Sequence, residues 1–246
     1  MKYFELLGLP GSGKTALLRF FRARASARQE GKSVISEDWT MVLRRFGHRH
    51  PSFLRGLTGR EPGVPRAELL KNLTYDYWQM GVLAEYPELF SRIFLCLETV
   101  NPGARQREIL LNYWRSRASL FSDVVKSTSA SSCFVDEGLS QSVFSTVTRM
   151  VAPSNQKLEL VASVLRSLPP ERTVVMLRTP PKLIELRAQS GRAHLPVNVS
   201  AKTEELELIF QYQKTLGRDT VELDGSLSLE ELCTDLEALV AKRVKG

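Results

Sequence analysis

The sequence predicts a three-layer α/β fold, a doubly wound parallel sheet of about five strands with helices on both faces. Three observations carry this expectation. Short apolar runs at Tyr3 to Leu7, Cys133 to Val135, Thr173 to Leu177 and Thr220 to Leu223 alternate with stretches of helical period. Between the first run and the first helix lies Gly8-Leu9-Pro10-Gly11-Ser12-Gly13-Lys14-Thr15, which satisfies G-x-x-x-x-G-K-[ST] at every required position. A long, mainly helical stretch, about residues 40 to 130, separates the second strand from the third, so the sheet carries an insertion. All 246 residues are expected to form one domain.

The glycine-rich segment is a phosphate-binding loop in the strand-then-helix setting that such a loop needs, and it makes the expected fold that of a P-loop NTPase. Its glycines let successive N–H groups turn toward one anion, and the helix opening at Ala16 adds its own unpaired N–H groups. Gly8, Pro10, Gly11, Ser12, Gly13, Lys14, Thr15 and Ala16 are the expected phosphate contacts. Lys14 should reach the β- and γ-phosphates, and the Thr15 hydroxyl should ligate Mg²⁺. The competing reading is a plain Gly-rich turn.

The first helix should run from Lys14 to about Gln29 and lead through Glu30-Gly31-Lys32 into a short second strand, Ser33 to Ser36. Glu37 and Asp38 end that strand. Ligands of parallel sheets sit outside the carboxyl ends of the strands, so Glu37 is a candidate catalytic acid. Alternatively, Ser36 or Asp38 simply caps the helix that begins near Met41. Residues 48 to 65, rich in Gly, Pro and Arg, read as an excursion. Helical patterning resumes at Ala67, breaks at Pro87, continues through Leu89, Phe90, Ile93 and Phe94, and stops at Asn101-Pro102-Gly103. The next helix, about Ala104 to Val125, should turn Ile109, Leu110, Tyr113, Trp114, Leu120 and Phe121 to a core.

Cys133-Phe134-Val135 runs into Asp136-Glu137-Gly138, an apolar strand ending in an acid, as a Walker B element does. Its Asp136 would hold Mg²⁺ opposite Thr15. Helices near Leu139 to Val151 and Asn155 to Leu168 follow. The strand Thr173 to Leu177 then feeds a proline-started helix at Pro180-Pro181 that ends in Arg187-Ala188-Gln189-Ser190-Gly191-Arg192. A helix from about Lys202 to Leu216 leads to the last strand, Asp224-Gly225-Ser226 turns the chain, and Ser228-Leu229-Glu230-Glu231 is a capping box for the terminal helix.

Composition narrows the partners. The formal charge of +7 favours anionic ligands, but the arginines are dispersed along helices and loops and read as solvated faces, and no nucleic-acid recognition module is visible. No stretch is long and uncharged enough to span a bilayer. With the first strand starting beside Met1, no secretory leader is expected. Three distant cysteines give no disulfide framework or zinc spacing, so a reducing cytoplasm is the expected setting. His48, His50 and His194 form no metal or triad pattern. An oligomer is compatible with the sequence.

With these residues in place, the chain resembles the P-loop kinases of the thymidylate kinase and deoxynucleoside kinase type. The likeness rests on Gly8 to Thr15, on Val174 to Arg192 (VVMLRTPPKLIELRAQSGR) and on Thr220 to Leu232 (TVELDGSLSLEEL). It implies that Arg187 and Arg192 belong to a lid over about residues 186 to 201. It also implies that Asp224, Gly225 and Ser226 flank the adenine, that Asp136 is the third-strand acid, and that Glu37, with Trp39 close behind, is the base that accepts a hydroxyl proton. That family usually follows the third-strand acid with Arg, where this chain has Glu137-Gly138. The departure opens the acceptor to sugars or other hydroxyl compounds beside nucleosides and nucleoside monophosphates. An acceptor phosphate would fall to Arg105, Arg107 or Arg115. The function expected is an ATP- and Mg²⁺-dependent kinase acting on a small-molecule hydroxyl or phosphate. The alternatives are an ATPase or switch that hydrolyses through Asp136 and Glu137, and a nucleotide-binding regulator without turnover.

Overall fold

The computed structural model describes residues 2–27, 33–34, 81–100, 103–126, 132–190 and 198–244. Strands β1 (Lys2–Leu7), β2 (Ser33–Val34), β3 (Ser132–Val135), β4 (Thr173–Arg178) and β5 (Asp219–Asp224) pair in the order β2-β3-β1-β4-β5, and every pairing is parallel. Four are strands of four to six residues, and β2 amounts to a two-residue edge pairing with Cys133 and Phe134. About five strands were expected. Only four have full length, because the second strand is described for Ser33 and Val34 alone.

Helix α1 (Lys14–Ala27) follows β1. Residues 81–85 are helical, and α2 (Pro87–Glu98) and α3 (Gly103–Lys126) lie between β2 and β3, as the predicted insertion requires. After β3 come α4 (Leu139–Val147) and α5 (Ser154–Ser167), after β4 α6 (Pro181–Gln189) and α7 (Val199–Thr215), and after β5 α8 (Leu229–Val244). Pro181 starts α6 and the side chain of Asn198 caps α7. Ser228 and Glu231 exchange hydrogen bonds at the head of α8, the predicted capping box.

The two-residue period of the strands sorts their side chains between two cores. Tyr3, Leu7, Cys133, Val135, Val174 and Met176 join one face with α2 to α5, Ile184 of α6 and α7. Phe4, Leu6, Phe134, Val175, Leu177 and Leu223 join the other with α1 and α8. The rings of Phe4 and Phe134, paired in register, stack at 4.8 Å. Two expected core residues lie outward: Phe94 is 46% and Ile109 52% exposed, since each sits one position off the buried stripe of its helix. The three cysteines are all buried. Among the described residues no helix is long and apolar enough to cross a membrane.

One inward position of β1 is not apolar. Glu5, fully buried, takes hydrogen bonds from the Ser140 backbone N–H (3.3 Å), from the Ser140 hydroxyl and from Arg172. Arg172 also donates to Ser140 Oγ (2.7 Å), Gln213 Oε1 (2.9 Å) and the Pro169 carbonyl (2.9 Å). This polar knot joins β1, α4, α7 and the entry to β4. It also explains Gly138, where an added Cβ would overlap the Glu5 carboxylate. Gly138→Ala is therefore expected to destabilise the protein by about 1–3 kcal/mol through overpacking. Thermal unfolding of the variant checks it, and a melting temperature equal to that of the parent would contradict the close approach.

Candidate active site

The glycine-rich loop occupies the turn from β1 to α1, at the carboxyl end of the central strand. Gly11 (φ 81°) and Gly13 (φ 104°) have left-handed backbones, which a side chain would strain. The loop is fastened by two outside partners and by a bond of its own. Gly8 N–H donates to Gln141 Oε1 (3.3 Å), Thr179 Oγ1 donates to the Ser12 carbonyl (3.0 Å), and Ser12 N–H donates to the Leu9 carbonyl (3.1 Å).

Lys14 is buried within the loop, its Nζ donating to the carbonyls of Gly8 (2.7 Å) and Leu9 (3.2 Å). Burial pulls its pKa down, and the carboxylates of Asp136 and Glu137 act in the opposite sense. Thr15 Oγ1 donates to Asp136 Oδ2 across the tops of β1 and β3. The second carboxylate oxygen, Asp136 Oδ1, is buried and has no hydrogen-bond partner among the described residues, and neither has Ser12 Oγ. A buried oxygen without a donor beside a threonine hydroxyl suits a hard divalent cation, so these two residues fit Mg²⁺.

Arg187 lies against the glycine-rich loop. Its Nη1 donates to the carbonyls of Ser12 (2.8 Å) and Gly11 (3.3 Å), and its Nη2 reaches the Gly225 carbonyl (3.4 Å). It clasps the loop to the β5–α8 turn. In that turn Asp224 accepts from Ser226 N–H (2.9 Å) and Oγ (2.7 Å), while Gly225 N–H donates to the Arg178 carbonyl (2.8 Å). The bonds from Ser226 hold the Asp224 carboxyl below its usual range. A cleft of about 620 Å³, lined by Leu9, Ser12, Met176, Thr179, Ile184, Leu206 and Asp224 among others, runs from the loop toward this turn.

Glu137 receives hydrogen bonds from Tyr113 Oη (2.8 Å) and Arg117 Nη2 (3.3 Å) of α3. Arg117 is buried, contrary to the solvated helix face expected of it, and its guanidinium lies 4.4 Å over the Tyr113 ring. The four-residue spacing of Tyr113 and Arg117, which puts both on one helix face, was the available signal. Gln141 and Thr179 carried none. Arg105 and Arg107 are exposed on the first turn of α3. Glu37, Arg192 and His194, with residues 191 to 197 of the expected lid, lie outside the described residues.

Fold and site together describe a parallel α/β protein whose glycine-rich loop, lysine and β3 acid meet at one edge of the sheet. No protein-family model and no curated protein sequence matches the chain. Solved structures similar to it include deoxyadenosine kinase from M. mycoides with the products dCMP and a flexible dCDP bound, at 10% identity and a TM-score of 0.49 over 98% of this chain and 99% of that one. The same enzyme with bound dCTP (11%, TM-score 0.48, 98% and 99% covered) and with bound dATP (12%, TM-score 0.48, 99% and 100% covered) is also similar.

Proposed function

We propose that this protein is a phosphotransferase that moves the γ-phosphoryl group of ATP, as its Mg²⁺ complex, to a small-molecule acceptor. The observation that carries the reading is the meeting of Lys14, Thr15 and Asp136 at the carboxyl end of β1 and β3, with Asp136 Oδ1 buried and unpartnered. Catalysis of phosphoryl transfer is mainly positioning and charge stabilisation, and those are what this group supplies. The loop N–H groups bind the phosphate oxygens. Lys14 exchanges two backbone carbonyls for phosphate oxygens and recovers an anionic partner at a buried position. Thr15 and Asp136 hold the cation, which when bound neutralises charge on the phosphates. Arg187 keeps the loop and the Asp224–Ser226 turn in register, so that this turn flanks the base. Glu37 is assigned the acceptor proton and Arg192 a place in the lid.

Turnover of Mg-ATP, measured alone and with pools of nucleosides, nucleoside monophosphates and sugars, tests the reading. A phosphorylated product from a pool supports it. ATP hydrolysis that needs no acceptor and stops in Glu137→Gln would replace it with the ATPase or switch reading, which the adjacency of Glu137 to Asp136 favours. Asp136→Asn is expected to weaken apparent Mg²⁺ affinity on the order of 10- to 100-fold. A Mg²⁺ titration of turnover measures this, and an unchanged midpoint would remove Asp136 from the metal site.

A further inference from the structure

The roles just assigned leave Glu137 unused, although its carboxylate is the most deliberately held acid near the loop. It follows Asp136 at the end of β3, and its negative charge, with that of Asp136, is felt at Lys14. Both of its hydrogen bonds, from Tyr113 and Arg117, end on the same oxygen, Oε2. The side chain is 42% exposed, so Oε1, which takes no hydrogen bond among the described residues, keeps its lone pairs for a donor arriving from solvent. Burial raises the Tyr113 phenol well above its ordinary range, so it stays a proton donor. Arg117 is the cation beside it, and the next position adds no second one, since any side chain at Gly138 would run into Glu5.

We propose that Glu137 is the specificity-determining residue of the acceptor site, taking a hydrogen bond through Oε1 from a hydroxyl of the acceptor and so selecting an uncharged hydroxyl compound, nucleoside or sugar, over a phosphate monoester. This rests on the kinase reading above. A hydroxyl has the proton that a carboxylate oxygen accepts. A phosphate monoester dianion has none, so its oxygens would meet the Oε1 lone pairs without a hydrogen between them, and Arg117, engaged at Oε2, tempers the like charge without supplying that proton. Tyr113 and Arg117 are positioning residues, since they act only by fixing the direction of Oε1.

The test uses the full chain with Mg-ATP and two matched pools, nucleosides with sugars in one and the corresponding monophosphates in the other. Acceptor KM, kcat and the Kd of a fluorescent ATP analogue are read for the parent, Glu137→Ala, Glu137→Gln and Tyr113→Phe. Product is expected from the hydroxyl pool alone. Glu137→Ala should raise acceptor KM by about tenfold or more, the usual effect of losing a hydrogen bond to a charged group, with the ATP-analogue Kd unchanged. Glu137→Gln should recover part of that loss, and Tyr113→Phe should show a smaller rise in the same direction. Product from the monophosphates, or an acceptor KM indifferent to Glu137→Ala, overturns the inference and leaves the kinase reading standing. No product from either pool sinks the kinase reading itself and this inference with it.

Discussion

Lys14→Ala is expected to lower phosphoryl transfer by on the order of 100- to 1,000-fold, the usual consequence of removing a charged group aimed at developing phosphate charge. A second effect separates this lysine from a merely structural one. Without nucleotide, Lys14 is a buried cation whose hydrogen bonds among the described residues go to the carbonyls of Gly8 and Leu9, and burial weakens its hold on the proton more than Asp136 and Glu137 strengthen it. Its removal should therefore leave the melting temperature of the nucleotide-free protein unchanged or raise it. In the parent, Mg-ATP at a hundred times its Kd should add about 2.7 kcal/mol of stability, and in Lys14→Ala this ligand-dependent gain should largely vanish. Thermal unfolding with and without Mg-ATP reads both effects. A variant that melts much lower without nucleotide yet keeps the full ATP shift would make Lys14 a structural residue.

Arg172→Met is expected to cost about 3–5 kcal/mol, because it leaves the Glu5 carboxylate charged, buried and without its cation. At about 2–4 °C per kcal/mol for a chain of this size, the melting temperature should fall by on the order of 10 °C. The double variant Glu5→Leu with Arg172→Met should recover most of that loss, since it removes both charges and fills the site with apolar volume. Melting curves of the parent, the single variants and the double variant decide it. If the double variant melts below either single one, the pair contributes net stability and the expectation is wrong. The knot carries no phosphate contact, so loss of activity in Arg172→Met should follow loss of fold.

The parts of the molecule legible in the sequence were those written in short stretches. The glycine spacing of the loop, the acid after Phe134-Val135, the prolines before α6 and the Ser228–Glu231 cap all signal through neighbours a few residues away, and each stands where expected. Glu5 was not legible, because an acid in an apolar strand gives no hint that Ser140 and Arg172, from far along the chain, will meet it. Arg117 failed for a related reason. A charged residue on a helix reads as solvated unless its partner is known, and the partner is on a different element. Periodicity also misplaced Phe94 and Ile109 by one position at the edge of a helical stripe. The expectations for Glu37 and Arg192 fall outside the described residues.

The position of β1 has a consequence for how the protein comes into being. The strand that leads into the phosphate-binding loop precedes the other strands along the chain, yet it is central in the sheet, and its neighbours β3 and β4 are made long afterwards, with Phe4 beside Thr173. At about 5–20 residues per second, the ribosome delivers β4 roughly 10–30 s after β1. Until β3 is made, Phe4, Leu6 and Leu7 lack both neighbouring strands, and helix α1 waits longer still for the α8 surface against which it finally packs. The loop meanwhile lacks Asp136, Thr179 and Arg187, so stabilisation by a nucleotide bound there would reach the nascent chain only after β4 and α6 have been made.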